Sequence, residues 1–584
     1  MVTFTQLRDL RPAELEEAAD GWQKLSSGAG AAKDRVTDEV ATSLQLSLKG
    51  EGVDAAVVRL HGLAQNCHYV QVESALVRTA LNNLARELRA AQKKLNDAVT
   101  EAEAEKFTVR SDGSVHWVEK TPATPLLPQQ SVQGSSPSVV IAPVGDGKRA
   151  RAQEYVDRIA GALREAAEVD ARYARALGRL HADSDLKISD TDWVDAQRDT
   201  AAVRNALGDA LPAETIPADK SPKENAAWWK ALSKDEQADY VALHPSSIGN
   251  LDGIPAVARD EANRAVLAEK QAEYRKQLHA LPPEPLEYVP GSRGNPMATK
   301  STEWIKWNAR KNDLERSIKG MEEVQSRFMR EPDVGQERFP RAYLLGFSPE
   351  GRGRAIIANG NPDTADHTAV YVPGTDAGFG NLSHDIKRMT SLWLEADAAA
   401  DGQKVSTITW LGYDAPQGVW QPMSSDRANE GAPELNQFVD GIHASRTAES
   451  PGHLTVMGHS YGSTLVGSAA RQGDLNADDV ITVGSPGVQV GRATDLDVPK
   501  GHAWNEDAKG DYIPEVGRIK HGHKEVHADS GIDFVIPSDD RFGAQQMHTD
   551  TEGHSGYWNE DSESLKNQAR VVIGQYGEVS EVTS

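Results

Sequence analysis

Ser460 lies between two glycines in LTVMGHSYGS (454–463), and the two residue types that can activate a serine, a carboxylate and an imidazole, both occur downstream of it. A serine hydroxyl is a poor nucleophile at neutral pH. It needs a general base within hydrogen-bond reach, and the base needs an acidic group to orient it and to balance the imidazolium that forms. The pattern GxSxG is weak by itself: with 49 glycines in 584 residues, about 0.2 matches are expected by chance. Its surroundings carry the weight. A nucleophilic serine of this kind occupies a strained turn of positive φ between a strand and a helix, and the residues two before and two after must be small to let the two elements approach. Leu454 to Met457 supply the strand, Gly458 and Gly462 the small flanks, and Ser463 to Ala470 a helix of small side chains.

In that arrangement the order along the chain is serine, acid, histidine. GHAWNEDAKGDYIPEV (501–516) offers Asp507 and Asp511. Asp511 is preferred, because it follows a glycine after a short strand-like run and so suits the tip of a strand; Asp507 is the second choice. Five imidazoles follow, at His521, His523, His527, His548 and His554. His554 is preferred, since GHSGY (553–557) is a loop of small residues just before the last expected helix. A tetrahedral intermediate also needs backbone N–H donors. One is expected from Tyr461, next to the nucleophile, and the other from PGTDAG (373–378), where Gly374 lets Thr375 turn inward, with Asp376 as the alternative. Such a set supports acyl transfer from a small acyl-ester substrate, a thioester or an amide, and requires no metal and no organic cofactor.

The elements that must hold these residues follow from periodicity. After about residue 338 short β-branched or aromatic runs appear at 341–347, 354–359, 368–374, 405–412, 454–458 and 480–487. Helical stretches at 382–398, 433–447, 461–472 and 561–575 alternate with the later runs, which predicts an α/β domain over 338–584 with a mainly parallel sheet flanked by helices. The preceding half reads as mostly α-helical. Residues 1–120 form a helical hairpin broken near Lys49-Gly50-Glu51-Gly52, with Leu60, Leu63, Val70, Leu76, Leu81, Leu84, Leu88 and Leu95 on one stripe. A Pro/Ser/Gly linker spans 121–147. The helical region 148–337, with a loop at 282–298, is a candidate lid or cap.

These residues resemble a family: the uncharacterised α/β-hydrolases of actinobacteria that carry a long helical N-terminal region. The resemblance rests on GHSYGS, on AAWWKALSKDEQADYVALHPSSIGNLDGIPAVARDEANRAVL (226–267), and on VYVPGT, GDYIP, DDRFGA (539–544) and GHSGYW. It spans roughly residues 148–575 and implies Ser460 as nucleophile, Asp511 as acid and His554 as base, but no particular substrate; esterase or lipase chemistry is expected because it needs nothing beyond this triad. The N-terminal hairpin is more loosely similar to the small WxG-type proteins exported by type VII secretion. LSLKGEGVDAAVVRL replaces the tryptophan-x-glycine turn, with Lys49 where an aromatic would stand, while Tyr69 and Glu73 match a YxxxE export pattern. That similarity implies a protein partner at the N-terminal helices and signal-peptide-independent export. A plain packing hairpin explains the same residues.

Composition bounds the remainder. The length predicts two to four domains. A net charge of −24 argues against nucleic acid as the main partner. No stretch approaches the ~20 apolar residues of a membrane span, and the first residues show no basic region followed by an apolar core, so a cytoplasmic location is the default expectation. The single cysteine, Cys67, excludes an intrachain disulfide and reads as a packed or partly exposed thiol in a helix. HGHKEVHAD (521–529) gathers His521, His523, His527 and Asp529, a set able to ligate zinc, but a polar loop accounts for it equally. Trp228-Trp229 begin a helix and read as hydrophobic anchors.

Overall fold

The computed structural model describes residues 2–41, 43–44, 48–117, 146–180, 187–289, 298–329, 339–418, 421–446, 452–527 and 531–582. Outside the described residues lie most of the linker at 121–147, residues 290–297 of the loop at 282–298, and Asp529. Contacts divide the chain into two compact units, one of residues 1–31, 67–186 and 195–212, the other of 32–66, 187–194 and 213–584.

The first unit is helical. Gly50, at φ 120°, turns the chain into α2 (Glu51–Ala104), which runs back along α1 (Pro12–Arg35). The two are tied by Arg89–Glu16 at 2.7 Å and by the Ser26 hydroxyl on the Gln71 carbonyl at 2.9 Å. α3 (Asp146–Leu177) then packs antiparallel to α2, shown by ion pairs that step by seven residues on both helices: Glu87–Arg172, Lys94–Glu165 at 2.6 Å and Glu101–Arg158 at 2.7 Å. Seven residues are close to two helical turns, so one face of each helix meets the other along its length. The expected stripe is buried at Leu76, Leu84, Leu88 and Leu95, whereas Leu63 faces outward at 47% exposure.

The second unit holds an eight-stranded sheet: β1 (Ala342–Ser348), β2 (Arg354–Asn359), β3 (His367–Val372), β4 (Val405–Leu411), β5 (His453–His459), β6 (Asp479–Val483), β7 (Ala503–Glu506) and β8 (Gln545–Gln546). The spatial order is β1-β2-β4-β3-β5-β6-β7-β8. β2 is antiparallel to both its neighbours, and β4 to β8 are joined in parallel through β3. Strands β3, β4 and β6 are buried along their whole length, the mark of a sheet covered on both faces. One face packs on α7 (Leu382–Ala399) and α11 (Glu563–Val572), through Met389, Leu392, Leu565 and Val572. The other carries α8 (Asp426–Ser445) and α9 (Tyr461–Gln472), through Leu435, Phe438, Leu465 and Val466.

The stretch 226–267 has a structural task. It contains the start of α5 (Ala256–His279), which packs beside α6 (Thr302–Phe328) and whose polar side chains cap the edge strand β1. Asp260 accepts the Leu344 N–H at 2.8 Å, Asn263 donates to the Leu344 carbonyl at 2.9 Å, and Arg264 donates to the Ala342 carbonyl at 3.0 Å. An open sheet edge invites pairing with other chains, and here side chains occupy it. Trp228 and Trp229 fall in the second half of α4 (Pro222–Ala231), not at its start, because the Ser221–Glu224 capping box fixes the first turn. Trp229 is buried and Trp228 packs edge-on to Tyr240 at 5.1 Å.

Several ends differ from the sequence expectation. β3 stops at Val372 and β6 at Val483, where Gly484 at φ 52° turns the chain. α8 starts at Asp426 and carries Pro433 inside it. Residues 521–527 are not a polar loop: His521 ends α10 (Ile513–His521), and His523 to His527 pair antiparallel with 531–535. Among the described residues no helix is long and apolar enough to cross a membrane.

Candidate active site

β5 delivers Ser460 to the carboxyl ends of the strands, and the turn is as strained as the motif requires: φ 54°, ψ −130°. A non-glycine residue held there costs of order 1–3 kcal/mol and persists only where its surroundings fix it. They do so at several points. The Ser460 N–H donates to the Val483 carbonyl at 2.9 Å. The Ser463 hydroxyl is 2.6 Å from both the Ser460 carbonyl and the Ser485 hydroxyl. A Cβ on Gly458 would lie 2.4 Å from Ser463 Cα, and one on Gly462 would lie 2.1 Å from the Val372 carbonyl oxygen. The small flanks are therefore demanded by contact.

Asp511 follows β7, and His554 precedes α11. The structure brings them together, with His554 Nδ1 2.8 Å from Asp511 Oδ2. Asp511 also accepts the Tyr557 hydroxyl at 2.7 Å and the Ile513 N–H at 3.0 Å. Burial pushes the Asp511 carboxyl up, but the bonds from His554, Tyr557 and the Ile513 amide outweigh it and hold it below the usual carboxylate range. A carboxylate can only accept, so His554 Nδ1 carries a proton, and in that tautomer of the neutral ring the lone pair lies on Nε2. Asp507, the second choice, is not bonded to His554; burial and the neighbouring Asp511 charge push it up to about 6. His521 is not bonded to Asp511 either. Its ring is held by the Ser425 hydroxyl at 3.0 Å and the Pro422 carbonyl at 2.5 Å.

Ser460, Tyr461, Thr375 and His554 all line one cavity of about 880 Å³, whose wall also includes Met423, Ile513, Val516 and Trp558. Among the described residues no hydrogen bond joins the Ser460 hydroxyl to the His554 ring, a common state before substrate draws the groups together. The loop after β3 presses on the elbow: a Cβ on Gly374 would lie 2.7 Å from Ser460 Cβ. Tyr413 anchors that loop through the Pro373 carbonyl at 2.7 Å, and Asp376, at φ 66°, spends its N–H on the Pro416 carbonyl at 2.8 Å. Of the two expected donors in this loop, Thr375 is the one whose amide, like that of Tyr461, has no protein acceptor among the described residues.

Sequence reasoning missed the residues that support this set. Gly484 is the clearest: a Cβ there would lie 2.6 Å from Asp511 Oδ2 and 3.1 Å from His554 Nδ1. Its signal was VGSPG, which reads as the end of a strand. His459 is another. Its Nε2 meets the His554 carbonyl at 2.9 Å, so that nitrogen donates, and Nδ1 accepts from Arg388 Nη1 at 3.4 Å. The His459 ring lies 4.6 Å from the His554 ring, and burial, Arg388 and His554 together hold it neutral, well below the usual histidine range. Among the described residues no three His, Cys, Asp or Glu side chains converge as a metal site.

A family model described as alpha/beta hydrolase matches residues 348–521. The C-terminal part of this chain belongs to the alpha/beta hydrolases. That match contains Ser460, Asp511 and Thr375, while His554 lies beyond its end. Across more of the chain, an uncharacterised protein of Mycobacterium tuberculosis is 27% identical over 456 residues, 72% of this chain and 66% of its own length. This chain thus spans just under two thirds of that relative. An uncharacterised protein of Mycobacterium bovis is 33% identical over 183 residues, 30% of this chain and 68% of its own. A solved prolyl endopeptidase structure covers 41% of this chain and 40% of its own at 14% identity, with a TM-score of 0.21. The sheet and helices of the hydrolase part, preceded by helices, are the fold class expected from the sequence.

Proposed function

We propose that the chain is a serine hydrolase that cleaves an ester, thioester or amide through an acyl-enzyme, with esterase or lipase-like chemistry. The observation that carries this reading is the strained Ser460 on the wall of a cavity that His554, oriented by Asp511, also lines. Ser460 Oγ attacks the carbonyl carbon while its proton passes to His554 Nε2. The negative oxygen of the tetrahedral intermediate is held by the Thr375 and Tyr461 amides, and Asp511 balances the imidazolium. His554 then gives its proton to the leaving atom as the bond to it breaks. Water repeats the sequence on the acyl-enzyme and releases the acid. None of these steps calls for a metal or an organic cofactor.

The test is fluorophosphonate labelling and turnover of short-chain 4-nitrophenyl esters by the whole chain and by Ser460→Ala. Labelling at Ser460, lost together with turnover in the variant, is the expected result. Unchanged labelling of Ser460→Ala rejects the proposed nucleophile.

A further inference from the structure

Arg388 stands on α7 in the wall of the same cavity, its side chain 18% exposed. All its hydrogen bonds within the described protein run through one nitrogen, Nη1: to the Tyr371 hydroxyl at 2.8 Å, to Asp385 Oδ1 at 3.0 Å and to His459 Nδ1 at 3.4 Å. The guanidinium rests over the Trp558 ring at 4.6 Å. A guanidinium carries five N–H donors, and the edge formed by Nε and Nη2 is a fork that receives a carboxylate bidentately. In Arg388 that edge has no acceptor among the described residues. Three side chains therefore position the cation and leave its anion-binding edge for something else. His459 precedes Ser460, so the cation is linked to the elbow by one side chain.

The charge of the cavity agrees. Lys387, Arg388 and Lys520 line it against Asp376 and Asp385, an excess of one positive charge among the lining residues of a chain whose net charge is −24, with Lys387 also 4.0 Å from Glu560. Such a local reversal in a concave, partly apolar wall concentrates anions near the serine. Asp385 offsets part of the charge by pairing with Nη1 at 3.0 Å, but it leaves the Nε/Nη2 edge open. We propose that the cavity selects substrates bearing an anionic group, a carboxylate or phosphate, which pairs with the Nε/Nη2 edge of Arg388 while the scissile carbonyl meets Ser460. The inference rests on the serine-hydrolase reading and names the substrate class of that site.

The experiment compares esters matched except for charge: mono-4-nitrophenyl glutarate against 4-nitrophenyl valerate for an anion on the acyl side, and 4-acetoxybenzoate against phenyl acetate for one on the leaving side. The whole chain is expected to prefer the anionic member of at least one pair by about tenfold or more in kcat/KM, the effect of one well-made charge-assisted pair. Added salt should lower kcat/KM for that anionic ester and leave its neutral partner little changed. Arg388→Gln should bring the ratio near unity through KM for the anionic ester, Arg388→Lys should restore part of it, and Lys520→Gln should lower it less. The salt measurement needs no variant, so it decides even where Arg388→Gln fails to fold. Turnover of the neutral esters with no anionic preference in either pair overturns the anion site and leaves the hydrolase reading standing. Absence of both turnover and Ser460 labelling overturns both.

Discussion

Strand β5 begins with one histidine and ends with another, and each end of the sheet holds an aspartate bonded to an imidazole. At the carboxyl ends Asp511 takes His554 Nδ1, the Tyr557 hydroxyl and the Ile513 amide. At the amino ends Asp479, fully buried, takes His453 Nε2 at 2.7 Å, the Tyr576 hydroxyl at 2.7 Å, Trp504 Nε1 at 2.9 Å and His502 Nδ1 at 3.0 Å. By carboxylate geometry alone the second pair is the better built. The histidines differ in their other nitrogen. His453 Nδ1 meets the Val572 carbonyl at 2.9 Å while Nε2 meets Asp479, so each nitrogen faces an acceptor, which favours the cation and raises the ring above the ordinary histidine value. His554 keeps Nε2 for the cavity. An aspartate–histidine pair becomes a base only where one ring nitrogen is left unpaired beside a reactive group; otherwise it is an internal ion pair that fastens strands together.

The largest effects should separate the two ends. His554→Gln is expected to lower kcat by about 10⁴ with little change in the urea midpoint, and Asp511→Asn by a similar factor, since each removes a part of the proposed base. His453→Gln should leave turnover per folded molecule unaltered. A loss of turnover in His453→Gln without a loss of stability would dissolve the comparison. Next in size is Asp479→Asn. It places one acceptor and an N–H₂ group among four donors, and uncompensated buried charge of this kind costs about 3–5 kcal/mol. The measurement is urea unfolding, and a midpoint within error of the parent would show that the amino-end pair fastens nothing. Gly484→Ala is smaller and acts on the carboxyl end through space. Its Cβ would overlap Asp511 Oδ2 at 2.6 Å, and the residue would be held at φ 52°. A displacement of about 1 Å in such a pair costs about 10²-fold in kcat, and unaltered kcat would mean that the Asp511–His554 spacing does not matter.

What was legible in the sequence follows the same division. The elbow could be read because its requirements are local: an apolar strand, glycines two residues to either side, and a helix of small residues. Asp511 and His554 could be placed because chain order and a glycine-rich loop restrict them. Gly484 could not, since its task is set by side chains 27 and 70 residues further on. The amino-end cluster was invisible for that reason too: His453, Asp479, His502 and Tyr576 share no spacing and meet only once the sheet forms. α10 and the strand pair after it were missed because most of their apolar residues point outward, with Val516 at 68%, Ile519 at 65% and Val526 at 74% exposure, so no buried stripe marks them. Strand β7 has four residues and β8 two, too few for a period to show. The domain-like stretch 226–267 was recognisable as a pattern, yet its reason, the capping of β1 by Asp260, Asn263 and Arg264, lies 78 to 84 residues away.

The smallest effect tests the protonation argument directly. Burial pushes the His453 ring down, but Asp479, by hydrogen bond and by charge, and the Val572 carbonyl outweigh it and raise it above the ordinary histidine value. A group raised on folding binds its proton more tightly in the folded chain. Its stabilisation is complete below the unfolded pKa of about 6.5 and is lost as pH rises through the folded value, at no more than about 1.4 kcal/mol per pH unit. Burial raises the Glu506 carboxyl to about 8, which slopes the same way across this range, whereas burial and the Asp511 charge raise Asp507 only to about 6, so its share is nearly spent by pH 6.5. The whole chain should therefore lose stability from pH 6.5 to 8.5 for more than one reason, and the His453 share is the difference between the parent and His453→Gln. Unfolding free energies from urea titrations across that range should show a shallower slope in the variant, with the remaining slope removed by Glu506→Gln. Equal slopes in parent and His453→Gln would mean that His453 is neutral in the fold, and that one of its two nitrogens faces an acceptor without a proton.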